Sequence, residues 1–390
     1  MTLDRVLHKI AAMSDTRALT LEQLDVAHTG PETLAGRYLR RFWTPIAELD
    51  AVQPGRAKPI TIMNERFTYY RGQSGKPYVV GFYCVHRSTQ MSTGWIEGED
   101  IRCFYHGWKY DGSGQCIEQP AERESYAAKV RIGGYPTREY LGLVFAYLGE
   151  GEPPEFPQFP ILEGPGRLFT RSFVRTSNYW NGLENSCDQV HVNFVHRNSE
   201  FRETRQTQEI PSIRAFETEY GLRREVQFSE GPARVAHMIM PVCALVTVYE
   251  RIAGMMQHLA YRIPVDDQSH VSFNVDLIDL PDETMEKYLA ARAEQAERIA
   301  QLPGSGEVVA AVLRGALRLD DLDRPDIVLL QDEVALSGQP PIGSRPNDRL
   351  GQSDAQIIEL RKIFTRELRA LASDRPLKAW SVPPDLIATS

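Results

Sequence analysis

Residues 83–108 read YCVHRSTQMSTGWIEGEDIRCFYHGW, and they hold two mirrored pairs, Cys84-x-His86 and Cys103-x-x-His106, with residues 87–102 between them. Two thiols and two imidazoles in so short a span point to a metal. Tetrahedral zinc accepts such a set. Common zinc fingers, however, pair two cysteines in one half and two histidines in the other, whereas here each half carries one of each. The four residues also fall in turns after strand-like runs and are wrapped in Tyr83, Phe104, Tyr105, Trp108 and Tyr110. The other ligand set that fits is a 2Fe–2S cluster with two cysteines on one iron and two histidines on the other. Neutral imidazoles raise the potential of such a cluster above that of an all-cysteine one.

The chain around this stretch has 390 residues, enough for two or three domains. A net charge of −8 and the lack of a long basic run argue against a nucleic-acid binder. No apolar run reaches the length of a membrane span, and the start MTLDRVLHKIAAMSD lacks a secretory apolar core. Five cysteines, two of them in the motif, do not form a disulfide framework, and the expected compartment is the reducing cytoplasm. Residues 1–36 read as an N-terminal extension. From 37 to 155, short β-rich runs such as KPYVVGFYC and EYLGLVFAYLG alternate with Gly and Pro turns. The Pro- and Glu-dense GEGEPPEFPQFP at 149–160 reads as a linker.

Residues 156–390 have a different texture. Strand candidates at 167–177, 222–228, 245–252, 258–265 and 270–280 lie among helical stretches, so the expected class is α+β with an antiparallel sheet covered by helices. In SDAQIIELRKIFTRELRALASD, Ser353 is the expected cap, and Ile357, Leu360, Phe364, Leu368 and Leu371 form one apolar stripe. DETMEKYLAARAEQAERIAQL is polar enough to lie on the surface.

A bare relay cluster needs an acceptor, and NYWNGLENSCDQVHVNFVHRN at 178–198 offers one. Glu184, Asp188 and His191 are spaced i, i+4, i+7 and would share a helical face. His196 would lie about 140° further round, so both histidines reach one ion only if the helix ends or distorts between them. Two histidines and a carboxylate on Fe(II) leave positions open for O2 and substrate.

Together the two stretches resemble the Rieske-type non-haem iron aromatic oxygenases, over roughly Arg37–Asp354. Val85 and STQM depart from the Pro and the G-x-x-L turn common in that family, while all four ligand types remain. The resemblance implies an N-terminal Rieske β domain with Cys84, His86, Cys103 and His106 on the cluster. It also implies a catalytic domain with His191 and His196 on a mononuclear Fe(II). Asp188 becomes the acid bridging the two centres, and Asn181 matches a position where some members place an amide near the iron. A third ligand comes from later in the chain: alignment on QDEVALSGQ gives Asp332, with Gln339 seven residues on, and Asp326 and Glu333 as competitors.

The implied function is a terminal oxygenase, fed from NAD(P)H by a flavin reductase, with or without a ferredoxin. It would use O2 to hydroxylate or oxidatively dealkylate (O- or N-demethylate) a small aromatic substrate, drawn into a pocket built from residues 205–300. The run GQPPIGSRPNDRLGQSDAQIIELR looks like α-only phthalate- and carbazole-oxygenase relatives, and RYLRRFWTPIAEL like O-demethylases. In this family the short electron route crosses between subunits, which implies a homotrimer with Asp188 between His191 and a neighbour's His106. The rival is a Rieske electron-transfer or zinc-stabilised binding protein, which has no use for the second histidine pair. His237 and His258 are expected in the sheet, and Cys116, Cys187 and Cys243 as small buried residues.

Overall fold

The computed structural model describes residues 24–199, 204–340 and 348–389. After a short helix α1 (Leu34–Leu39), the N-terminal half builds three small antiparallel sheets. Strand β1 (Trp43–Glu48) is followed by β2 (Ala57–Ile62), β3 (Glu65–Arg71) and β4 (Pro77–Gly81). A meander then runs β5 (Trp95–Glu97), β6 (Asp100–Arg102), β7 (Lys109–Tyr110) and β8 (Cys116–Glu118). The half closes with β9 (Gly134–Tyr135), β10 (Thr137–Tyr140) and β11 (Leu143–Tyr147). The sheets are ordered β1-β11-β10, β2-β3-β4-β9 and β5-β6-β7-β8. The meander has its own small core of Cys84, Met91, Ile101, Cys103, Trp108 and Tyr110.

The second half is one seven-stranded antiparallel sheet with helices. Its strands are β12 (Arg167–Arg175), β13 (Ser212–Glu217), β14 (Gly221–Gln227), β15 (Arg234–Ile239), β16 (Cys243–Glu250), β17 (Gly254–Pro264) and β18 (His270–Ile278), ordered β12-β18-β17-β16-β15-β14-β13. The five strand candidates are all present; β13 and β15, the latter carrying His237, complete the set. The α+β class follows from this architecture. Helices α2 (Tyr179–Cys187), α3 (His191–Val195), α4 (Arg205–Gln208), α5 (Asp282–Ala300), α6 (Ser305–Leu313), α7 (Ile327–Ser337) and α8 (Ala355–Ala372) attach to the sheet and its connections. None is long and apolar enough to cross a membrane.

Pleating gives the sheet two unlike faces, since successive residues point to opposite sides. Leu259, Tyr261, Ile263, Phe273 and Val275 enter the main core, which also holds Phe67, Val144 and Phe145 of the N-terminal half. Phe145 meets Tyr261 edge to face at 5.7 Å. A second tie comes from the β2–β3 hairpin. Its two turn residues, Met63 and Asn64, both have positive φ, as a tight two-residue turn requires, and their N–H groups donate to Pro264 and Val265 carbonyls at 2.8 and 2.9 Å. The N-terminal half is therefore docked on the sheet by shared core and backbone hydrogen bonds.

The stripe Ile357, Leu360, Phe364, Leu368 and Leu371 is buried along α8, with Phe364 edge-on to Trp180 at 4.8 Å. Ser353 is not its cap. The chain enters through a 3-10 turn, Gln352–Asp354, and the Asp354 carboxylate accepts the Gly351 N–H at 2.7 Å, so the helix starts only at Ala355. Tyr288 is the one buried residue of α5, in keeping with a surface helix.

Two candidate metal centres

Two loops at the tip of the N-terminal half present the first set. The loop after β4 carries Cys84 and His86; the β6–β7 loop carries Cys103 and His106. Each cysteine carbonyl closes its turn, accepting from Ser88 N–H at 2.8 Å and Gly107 N–H at 3.0 Å. Gly107 sits at φ +76, where a side chain is disfavoured. Cys84 and Cys103 are buried side by side, and the Cys103 S–H and then the Tyr110 hydroxyl (Sγ–Oη 3.2 Å) bring the Cys84 thiol down to about 6, against the opposing effect of burial. The imidazoles of His86 and His106 lie edge to face at 4.5 Å, with His86 stacked on Trp108 at 4.6 Å. His86 Nδ1 is buried with no partner inside the protein.

Two adjacent thiols and two adjacent imidazoles suit a two-iron cluster. A single zinc would draw all four donors to one point. Among the described residues the group whose donors all lie within 4.8 Å of one another is a different one, His191, His196 and Asp332.

That second group depends on a break in the chain. Helix α2 ends at Cys187, whose carbonyl accepts from the buried Arg224 guanidinium at 3.0 Å, and Asp188 leaves the helix at φ −84, ψ 123. The Asp188 carboxylate then accepts the N–H groups of Val190 (2.8 Å) and His191 (3.2 Å), starting α3. The expected shared face of Glu184, Asp188 and His191 is thus absent: the helix breaks before His191, not between the two histidines. Glu184 turns elsewhere, to Arg361 at 2.6 Å and Trp180 at 3.0 Å.

His191 opens α3 and His196 follows its last turn at φ −97, ψ 10, and the two rings come within 5.3 Å. His191 Nδ1 donates to the Asp188 main-chain carbonyl at 2.9 Å. The expected bond from the Asp188 carboxylate to this ring is not made: Oδ1 takes the backbone N–H groups, and Oδ2 lies 3.9 Å from an Nδ1 that donates to the carbonyl instead. His196 Nδ1 donates to the Gln331 amide oxygen at 2.9 Å. With each Nδ1–H committed, both rings aim the Nε2 lone pair at Asp332 Oδ1, at 3.7 and 3.2 Å.

Asp332 projects from α7, and its Oδ1 is buried without a well-aligned donor. Burial would raise this carboxyl, but His196, His191 and Arg175 hold it at about 2. Burial lowers His191; burial also works against the proton on His196, but the hydrogen bond and charge of Asp332, together with Gln331, raise it on balance. Three lone-pair donors facing one point repel unless a cation lies between them, so these residues fit a divalent metal of the two-histidine, one-carboxylate kind.

The competing acids are engaged elsewhere. Asp326 forms a fork with Arg324 at 2.8 and 2.9 Å. Glu333 accepts from Thr176 N–H and Oγ1 at 2.8 and 2.7 Å and lies 3.5 Å from Arg175. Asn181 is buried in the first turn of α2, and Gln339 lies exposed past the end of α7. Of the remaining residues, His237 is held by Tyr220 and the Ile387 carbonyl, His258 pairs with Asp276, and Cys116, Cys187 and Cys243 are buried and free. Sequence reasoning missed Gln331 and Arg175. The adjacency of Gln331 to Asp332 was the one local signal available.

A protein-family model described as the Rieske [2Fe-2S] domain matches residues 42–137. The chain is 29% identical over 384 residues to the 5,5'-dehydrodivanillate O-demethylase oxygenase subunit of a Sphingobium species, covering 93% of this chain and 83% of that protein. It is 27% identical over 372 residues to the phthalate 4,5-dioxygenase oxygenase subunit of Pseudomonas putida, covering 86% and 82%. In fold it is similar to the terminal oxygenase of carbazole 1,9a-dioxygenase from Novosphingobium sp. KA1, with a TM-score of 0.65, 18% identity, and 94% and 99% of the two chains covered.

Proposed function

Because the chain belongs to the Rieske non-haem iron oxygenases as an α (oxygenase) subunit related to phthalate dioxygenase, carbazole dioxygenase and O-demethylases, we propose that it oxidises a small aromatic compound by hydroxylation or oxidative demethylation. The observation that carries this reading is the pair of imidazoles with separate acceptors for their Nδ1–H groups and a common carboxylate opposite their Nε2 atoms. A protein that only relays electrons has no need of it.

In this reading Cys84, Cys103, His86 and His106 hold the 2Fe–2S cluster, and His191, His196 and Asp332 hold Fe(II). When bound, the iron supplies O2 activation. The chain's own part is to orient and to exclude. The Asp188 carbonyl and Gln331 fix which nitrogen of each histidine is free, since outer partners set tautomer and ring orientation. Arg175, 3.8 Å from Asp332, steadies the carboxylate.

Electrons come from NAD(P)H through a flavin reductase or ferredoxin, in the cytoplasm. The exposed Tyr83, Val85, Trp95, Phe104, Tyr105 and Tyr126 around the cluster loops favour a docked partner there. We assign that face to a neighbouring copy in a homotrimer, where the Asp188 carboxylate, with one oxygen unused by the backbone, would meet the neighbour's His106. Asn181 is assigned to the wall beside the iron.

The experiment is aerobic turnover with NADH and a surrogate reductase over a panel of aromatic acids and aromatic methyl ethers, scoring hydroxylated product and formaldehyde against NADH and O2 consumed. Coupled product from at least one compound is expected. NADH consumption with no oxidised product across the panel overturns the proposal.

A further inference from the structure

Alternation along β12, β17 and β18 turns one set of side chains away from the main core and toward α2 and the triad. In register across these strands lie Phe173, Ser272 and Arg262, then Arg171, Asn274 and Ala260, with Arg175 opposite His270 at the end nearest Asp332. His270 fills its place structurally: Nδ1 donates to the Ser177 carbonyl at 2.7 Å, and a Cβ at Gly182 would come within 2.6 Å of its Nε2.

Arg262 lies beside Gly182 on this face and is not accounted for in the same way. Its guanidinium makes two long hydrogen bonds, NH1 to the Tyr261 carbonyl at 3.3 Å and to Asn274 Oδ1 at 3.4 Å. No carboxylate among the described residues pairs with it. Of the other cations on this face, Arg171 has Asp276 within 3.5 Å, and Arg175 has Asp332 and Glu333 within 3.8 and 3.5 Å. Enclosed charges are ordinarily paired, because burying one alone is costly. Burial first, and then Arg175, pushes the Arg262 guanidinium down to about 9 against the pull of Asp332. On the next strand, the hydroxyl of Ser272 is buried without a partner inside the protein. A cation, an amide and an unmet hydroxyl thus meet on the triad side of the sheet with no protein anion among them.

We propose that Arg262 anchors a carboxylate on the aromatic substrate, so that an aromatic acid, and not its neutral counterpart, is what the pocket selects. The planar fork of arginine matches a carboxylate with two parallel N–H donors. The anion supplies the missing counter-charge and fixes the ring relative to His191, His196 and Asp332. The inference rests on the triad as the site of oxidation, yet its test needs no turnover.

Benzoate, 3-methoxybenzoate and phthalate are titrated calorimetrically against the protein, each beside its amide. Wild type binds at least one acid roughly 10- to 100-fold more tightly than the amide, the fold-change of a charge-assisted hydrogen bond. Arg262→Gln abolishes that preference while cluster absorption and iron content stay unchanged. Arg262→Lys, which keeps the charge and loses the fork, retains part of it; should the glutamine variant not fold, the lysine variant and the wild-type ratio decide. Equal binding of acids and amides by wild type, or an undiminished preference in the variants, overturns the anchor. Failure of every aromatic to turn over, with the preference intact, counts against the proposed reaction and leaves the anchor standing.

Discussion

Gln331→Leu removes the acceptor of the His196 Nδ1–H and little else, since leucine has similar bulk and the position is buried on α7. The loss leaves a buried ring N–H unmet, which costs about 1–3 kcal/mol. Two escapes are open to the ring, and both harm metal binding. It can swing to find another acceptor, or move its proton to Nε2 and so withdraw the lone pair now aimed at Asp332 from 3.2 Å. Outer hydrogen-bond partners of metal-bound histidines are worth roughly 10- to 100-fold in affinity, in line with that cost. The assay is anaerobic equilibrium dialysis against Fe(II) after chelation of the mononuclear site, normalised to the cluster absorption. The expected result is a Kd weakened by that factor with an unchanged cluster spectrum. Gln339→Leu, exposed beyond the helix, serves as the control and should bind as wild type does. If Gln331→Leu binds Fe(II) as tightly as wild type, the amide does not orient the histidine and the reasoning fails.

Asp188→Asn keeps a side-chain oxygen for the Val190 and His191 N–H groups, so both metals should remain while steady-state turnover falls; Asp188→Ala also loses the turn, about 1 kcal/mol of stability and part of the iron. Iron analysis and single-turnover rates separate the two, and normal turnover in Asp188→Asn would remove the acid from the electron route. Asp332→Ala should empty the mononuclear site, whereas Asp326→Asn, its partner being Arg324, should not; the opposite pattern in metal analysis would move the third ligand. His270 is driven by burial to about 3 from its ordinary 6.5. The unfolded chain therefore binds the extra proton between these values, and stability drops as pH falls below 6.5, by up to about 1.4 kcal/mol per unit. Urea midpoints between pH 6.5 and 5 should show that slope in wild type and a shallower one in His270→Asn; equal slopes would mean that the ring titrates inside the fold.

What was legible in the chain was local. The candidate cluster ligands stand out because each Cys and His pair lies within one turn, and α8 because its apolar stripe repeats at helical period. His191 and His196 were legible as a pair, but the break in the chain ahead of them was not: it depends on Arg224, far along the chain, taking the Cys187 carbonyl, and on Asp188 using its carboxylate for backbone N–H groups. Strand β13 escaped because it is a sheet edge, largely exposed, with no clean alternation of apolar residues. Asp332 was found by resemblance and not by pattern, since several acids crowd that region. Arg175 and Arg262 gave no signal, and Gln331 only its adjacency to Asp332, because their meaning comes from partners far away in sequence or on other strands.

The two-residue rhythm of β17 and β18 also bears on how such a protein can change over evolutionary time. Leu259, Tyr261, Ile263, Phe273 and Val275 belong to the main core, while Ala260, Arg262, Ser272 and Asn274, interleaved with them, are buried or partly buried on the other face of the sheet. On the proposed reading, a mutation in the second set changes the face beside the triad and leaves the main core whole, whereas one in the first set opens a void in that core. On that reading, substrate preference can shift one even-numbered position at a time while the main core stays intact. Directed libraries confined to those positions should keep a high folded fraction, whereas libraries of equal size on the odd positions should mostly lose their colour.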